Sequence, residues 1–337
     1  MRATIIDIAR EAGVSTATVD RALNNRIGVK TRTRDRVLSA AERLGYIEGA
    51  PRLNGQAQIP LDFVLPGGTN TFMALLAHHI EEMAALRQNE AQVRVHRIEG
   101  FNPDALAGKL HEIRDQTSGV AVIALDHPTV REAIRTLSAA GIPVLTLVSD
   151  ISNVPRVGYV GIDNRAAGRL AGHLLGRFMG PGRGKVALFA GSLSYRGHEE
   201  REMGFRHILA EAFPHLTIVE LREVRDDLQR AHQEARTLLS SYADLGGIYN
   251  IGAGNRGIAQ ALEEHGRAQD VVFIGHELTE HTRRFLLSGT MDAVIDQNPR
   301  VEAREAIDRL IHAARNETGY RVPVRIQAIF RENIPEI

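Results

Sequence analysis

The sequence predicts an α/β protein: a small all-α helix-turn-helix unit at the N-terminus, followed by a doubly wound body with parallel sheets. Three observations carry this. Two short amphipathic helical stretches, separated only by Gly13 and Val14, open the chain. From Leu61 onward, strand-like apolar runs alternate with helical ones. Charge is also shared unevenly. Residues 1–56 hold ten Lys plus Arg against six Asp plus Glu, although the whole chain has 41 of each, so a basic head precedes an acidic body. That balance suits a protein that meets nucleic acid at one end only.

In the head, IIDIAREA at 5–12 places Ile5, Ile8, Ala9 and Ala12 at helical spacing behind Thr4, an N-cap with Asp7 three positions later. Gly13 stops this helix, and Ser15 caps the next one at once, which is the tight connection of a helix-turn-helix. Val19, Ala22 and Leu23 of the second helix face a small core, leaving Thr16, Ala17, Asp20, Arg21 and Asn24 outward. Short polar side chains near a helix N-terminus suit entry into a major groove. A third helix follows from Thr33, with Val37, Leu38, Ala41 and Leu44 on one face and Gly45 as its stop.

The order GVSTATVDRALN at 13–24, then Val29 to Val37 with Thr33, Arg34 and Arg36 in register, then Leu44-Gly45-Tyr46, resembles the headpiece of the lactose-repressor (LacI/GalR) family of bacterial transcription regulators. The resemblance implies that Thr4, Ser15, Thr16, Ala17, Thr18, Arg21, Asn24, Arg26 and Arg32 meet a double-stranded, pseudo-palindromic operator. Two features depart from the family pattern. Asp20 stands where the resembled heads carry Ser, and a carboxylate there repels phosphate unless Arg21 or a base pairs with it. The hinge reads YIEGAPRLNGQAQIP, in which Gly49, Pro51 and Gly55 disfavour a regular helix. Leu53 is its one candidate for a minor-groove wedge, with Arg52 able to reach phosphate or a narrow groove; an ordinary linker is the alternative.

The body follows in order. Strands are expected at 61–66, 93–99, 119–125, 143–149, 159–162, 185–191, 218–224, 246–251, 271–275 and 291–296. Helices are expected at 72–87, 103–116, 128–140, 165–178, 199–212, 227–242, 255–265 and 300–314. In such sheets ligands bind where strand ends meet a switch point. The resemblance turns this into two lobes of the periplasmic-binding-protein type I kind with a cleft between them. It implies a head at 1–47, a hinge at 48–60 and a core at 61–337. The first lobe takes 61–157 and 298–320, and the second 158–297 and 321–337.

Cleft residues carry over where the local motif matches. Arg201, in an R-x-x-G-F element, matches an arginine that forks onto ligand hydroxyls or carboxylate. Glu277 stands where the family commonly has Asp, positioned to accept hydroxyl hydrogens with a longer reach. Gln297 matches a glutamine on the returning crossover, and Asp150 ends a strand where an acid often meets ligand. Asn70 and Phe72 lie in the first strand–helix loop, where a ring covers the apolar face of a sugar. Asn250 and Asn255 flank a stretch that departs from the family's N-D pattern, and both remain candidates.

Composition bounds the function. With no Cys, disulfides and thiolate metal sites are excluded. The chain shows no signal peptide and no apolar run of membrane-spanning length, so a cytoplasmic location without a membrane partner is expected. No HExxH pairing supports a zinc site. Gly180 to Lys185 precedes a strand and lacks the Ser or Thr of a phosphate loop, and Gly191 to Tyr195 lacks the closing Gly of a nucleophile elbow. An enzyme on this fold is therefore disfavoured, and no cofactor or metal is expected. A transporter's solute-binding protein shares the two lobes but has no use for residues 1–46. The expected function is that of a repressor-like homodimer or tetramer whose operator affinity answers to a sugar, sugar acid or polyol.

Overall fold

The structure, a computed structural model, describes residues 4–23, the single positions Val29, Thr33, Arg36, Val37, Ala40, Ala41, Leu44 and Tyr46, and residues 58–336 apart from Arg183, Thr318 and Tyr320. The chain forms two units, residues 1–57 and 58–337.

In the first unit, α1 (Ile5–Ala12) begins at a capping box: the Thr4 hydroxyl accepts from the Asp7 amide while the Asp7 carboxylate accepts from the Thr4 amide. It ends at Gly13, whose φ of 61° is the left-handed turn that glycine tolerates best. Helix α2 (Thr16–Leu23) starts under Ser15, whose hydroxyl accepts from the Thr18 amide. Ile8, Ala9, Ala12, Val19 and Ala22 bury against Val37, Ala40 and Ala41, the small core expected from the spacing.

The second unit opens with β1 (Ile59–Pro66), α3 (Thr71–Leu86), β2 (Ala91–Ile98), α4 (Pro103–Ile113), β3 (Gly119–Val122), α5 (Pro128–Ala139), β4 (Val144–Leu147) and β5 (Gly158–Val160). It continues with α6 (Asn164–Met179), β6 (Lys185–Ala190), α7 (Arg196–Ala212), β7 (Thr217–Glu223), α8 (Leu228–Ser241), β8 (Leu245–Asn250), α9 (Asn255–Glu264) and β9 (Val272–His276). The last elements are α10 (Glu280–Ser288), β10 (Ala293–Asp296), α11 (Pro299–Ala314) and β11 (Gln327–Ile329).

Two sheets result, ordered β2-β1-β3-β4-β5 and β11-β10-β9-β8-β6-β7. Among the described residues every strand pairing is parallel except that of β10 with β11. Central strands such as β3, β4 and β8 are buried on both faces, as their unbroken apolar runs require. Around the first sheet α3 packs with α11 and α4 with α5; around the second, α6 packs with α7 and α8 with α9. Return helix α11 therefore belongs to the first lobe.

One boundary and two elements differ from expectation. Strand β5 was expected to open the second lobe, but it is hydrogen-bonded to β4 as the edge of the first sheet, so the crossing comes after Val160. Helix α10 was not foreseen because its buried face is only Thr282, Phe285 and Leu286, too sparse for a periodic signal. Strand β11 is three residues long in a polar stretch, and only its pairing with β10 defines it.

Candidate functional site

The described part of the head presents Ser15, Thr16, Ala17 and Arg21 to solvent along one end and side of α2. Thr4 and Thr18 are already engaged, Thr4 with Asp7 and Thr18 with Ser15 at 2.9 Å. Asn24, Arg26, Arg32, Arg52 and Leu53 lie outside the described residues.

In the core, the carboxyl ends of the strands from both sheets converge on a cavity of about 530 Å3. Its size fits a small ligand. The first lobe supplies Asn70 and Phe72 after β1, Phe101 after β2, Ile123 after β3, and Val148 and Ser149 after β4. The second supplies Tyr195, His198 and Arg201 after β6, Asp226 after β7, Asn255 after β8, His276 at the end of β9 and Glu277 just after it, and Gln297 after β10. Of the eight residues expected in the cleft, Asn70, Phe72, Arg201, Asn255, Glu277 and Gln297 come together.

Arg201 is placed by the close approach of α6 and α7. Gly168, Gly172 and Gly176 line the α6 face that meets α7, and a Cβ on Gly168 would collide with the main-chain carbonyl of Arg201. That contact brings Arg201 to Asn164, the first residue of α6: Nε donates to Asn164 Oδ1 at 2.8 Å and Nη1 to the Ile251 carbonyl at 2.9 Å. Its Nη2 lies 3.9 Å from Glu277 Oε1, and the side chain is only 5% exposed.

Glu277 Oε1 accepts from Gln297 Nε2 at 2.6 Å, while Oε2 is buried with no hydrogen-bond partner among the described residues. Burial, first of all, pushes this carboxyl up to about 8; the Arg201 charge opposes that rise and Asp296 adds to it. Behind it, Glu302 is fully buried with both oxygens unpartnered and is held well above the usual carboxylate range, chiefly by burial and then by Glu277. His276 donates or accepts with Tyr249 Oη at 2.8 Å, and burial keeps its imidazole well below its ordinary value. Asn255 Nδ2 donates to the His276 carbonyl, fixing the two together.

A folded pKa above the unfolded one means that the folded state holds a proton the unfolded chain releases. Core stability is therefore expected to fall as pH rises from about 5 through about 8. Urea midpoints at pH 6 and pH 9 check this, and Glu277→Gln should flatten the difference; a midpoint that rises with pH would refute a neutral Glu277.

Two expected residues are not brought in. Asp150 faces away from the cleft, paired with Arg156 at 2.6 Å and accepting from Thr146 Oγ1 at 2.7 Å. The cause is Val148, whose φ of 62° turns the chain so that Ser149 lines the cleft and Asp150 the opposite side. Asn250 is fully buried beneath the cleft wall; its Nδ2 donates to Asn255 Oδ1 at 2.8 Å, so it orients Asn255 without reaching the cavity.

The sequence reading missed Asp226, His198, His276 and Tyr195. Asp226 Oδ2 accepts from Asn70 Nδ2 at 2.8 Å and Oδ1 from the Ala253 amide at 3.0 Å, so one carboxylate ties the two lobes across the cleft mouth. Ser149 Oγ accepts from the Gly197 amide at 3.1 Å, and Phe101 packs edge-on to Tyr195 at 5.4 Å, completing an interlobe seam. Phe101, Val148, Arg225, Asp226 and Glu277 all line this cleft with positive φ, while the other such non-glycine residues, Asn153, Asn298 and Asn316, are of the type that tolerates it best.

Residues 4–48 match the family described as bacterial regulatory proteins, lacI family, and residues 61–318 match the periplasmic binding protein domain. The chain is a lacI-family head joined to a periplasmic binding protein domain. Catabolite control protein A of Priestia megaterium is 30% identical over 220 residues, covering 63% of this chain and 62% of that protein. The match thus spans less than two thirds of that relative. The HTH-type transcriptional regulator DegA of Bacillus subtilis is 26% identical over 247 residues, 72% of this chain and 71% of its own. The periplasmic-binding-protein core also superposes on GanP, a glucose-galactose binding protein from Geobacillus stearothermophilus. That likeness has a TM-score of 0.76 at 23% identity, covering 83% of this chain and all of GanP. At that identity it is a likeness of fold. Asp226 could have been suspected from sequence only through this fold, because it follows a strand that ends at a switch point.

Proposed function

We propose that this protein is a sequence-specific DNA-binding transcriptional regulator, a repressor by preference, whose operator affinity is set by a carbohydrate-class effector held in the interlobe cleft. The observation that carries the reading is the presence in one chain of a lacI-family head and a two-lobed cleft with buried, unpartnered polar atoms. Such atoms are costly unless a ligand completes them. Support comes from relatives named as transcriptional regulators and from a fold shared with a glucose-galactose binding protein. A regulator of this kind works as a dimer on a pseudo-palindrome, because one head offers about three base-reading side chains, too few for a useful specificity ratio. It acts in the cytoplasm, and no helix among the described residues is long and apolar enough to cross a membrane. Neither catalysis nor a cofactor is part of this reading.

The test compares the full chain with residues 58–337 on heparin, on random DNA and in thermal shift against sugars, sugar acids and polyols. The full chain is expected to bind DNA and the shortened one not, while both bind the same small molecule; an effector at a hundred times its dissociation constant adds about 2.7 kcal/mol of stability. DNA binding that survives removal of the head would refute the reading.

A further inference from the structure

We propose that the effector is a polyhydroxylated carboxylate, a sugar acid, whose carboxylate lies between the Arg201 guanidinium and the unpartnered Oε2 of Glu277 while its hydroxyls turn to Gln297 and His276. The inference rests on the reading of this cleft as the effector site.

Arg201 supplies the first argument. Its charge is buried, yet the acceptors it holds, Asn164 Oδ1 and the Ile251 carbonyl, are neutral. The carboxylate near it, Glu277, is 3.9 Å from Nη2, beyond hydrogen-bond length. A desolvated guanidinium without a tight anion favours one that enters, and its planar fork matches the two oxygens of a carboxylate.

The remaining acids do not supply that anion. Asp226 is committed to Asn70 and the Ala253 amide, Asp227 caps α8 through the Arg230 amide, and Asp296 accepts from the amides of Leu278 and Asn298. At the mouth, Arg225 and Arg256 are exposed and in no ion pair among the described residues, so two cations stand beside Asp226 and Asp227 at the approach to the cavity.

Glu277 supplies the second argument. Arg201 faces it from α7, Asp296 and Gln297 from the end of β10, and Glu302 from α11, with His276 before it in β9 and His198 beyond Arg201. Gln297 uses one of its oxygens and the other, Oε2, is buried without a partner. Burial, and after it Asp296, push this carboxyl up to about 8, so at pH 7 the unpartnered Oε2 has a hydrogen to donate. A neutral acid beside a cation receives a carboxylate; an ionised one would repel it. Gln297 Oε1 and His276 Nδ1, also unpartnered, remain for ligand hydroxyls.

The experiment uses the full chain in calorimetry and thermal shift with matched probes: galactonate and galacturonate against galactose, gluconate against glucose, and glucose 6-phosphate. An acid is expected to bind at pH 7 where its neutral parent at equal concentration does not. Its affinity should then fall about tenfold between pH 8.5 and 9.5 as Glu277 ionises. Glu277→Gln keeps a donor but not a titrating group, so it should lose affinity several-fold at pH 7 and lose the pH dependence. Equal or tighter binding of a neutral parent, dependent on Arg201, overturns the carboxylate but leaves the cleft as effector site. Binding of the phosphate alone, or an unchanged pH profile in Glu277→Gln, also overturns it. Silence of the whole panel overturns it together with the carbohydrate reading.

Discussion

Gly168→Ala is expected to destabilise the core by about 3 kcal/mol or more, at the upper end of overpacking costs, although alanine is the better helix former. On the α6 face that meets α7, an added methyl would land on the main-chain carbonyl of Arg201, and one on Gly204 would land on the carbonyl of Arg165. Backbone blocks backbone at both places, so no flexible side chain can yield. The helices would have to part, which would pull Arg201 away from Asn164. Urea denaturation followed by circular dichroism measures the effect. Unchanged or raised stability would mean that α6 and α7 are not in that contact.

Arg201→Ala carries the other large effect. Effector affinity should fall by about 2–5 kcal/mol, because the substitution removes a desolvated, hydrogen-bonded charge and leaves its partners unmet. Asn164 Oδ1 and the Ile251 carbonyl lose their donor, so a smaller loss of core stability accompanies it. Operator binding without effector should persist, since the head folds on its own cluster of Ile8, Val19 and Val37. The phenotype is a regulator that finds its operator and no longer answers. Full effector affinity in calorimetry would move the binding site elsewhere, and Arg201→Lys should rescue little, since an ammonium cannot hold Asn164, Ile251 and a ligand with one planar fork.

Much of the fold was legible because its signals are local. Thr4, Asp7 and Ser15 mark helix starts by side chains that act within three residues, Gly13 marks an end by having none, and the apolar runs of β3, β4 and β8 mark strands buried on both faces. The cleft was legible where a residue directly follows a strand on the cleft side, as Glu277 and Gln297 do, or where a local motif marks it, as R-x-x-G-F does for Arg201. It was not legible where one backbone angle decides the facing: Asp150 sits one residue past Ser149, and the left-handed turn at Val148 sends them to opposite sides. Nor was it legible where partners are distant in sequence. Asp226 beside Asp227 reads as a doubled helix cap, and nothing near it announces a hydrogen bond to Asn70, 156 positions earlier.

The left-handed residues around the cleft bear on which epimers of the proposed effector can enter. Each such position costs on the order of 1–3 kcal/mol and persists only where its surroundings over-determine it. Here they do. The Val148 amide donates to the Val160 carbonyl and its own carbonyl accepts from Tyr159 Oη; the Glu277 amide donates to the Ile295 carbonyl; Asp226 is anchored by Ala253. Such a wall does not reshape itself around a guest. For the proposed effector, inverting one hydroxyl is expected to strand a side-chain atom held on that wall, such as Gln297 Oε1 or His276 Nδ1, at a loss of about 1–3 kcal/mol.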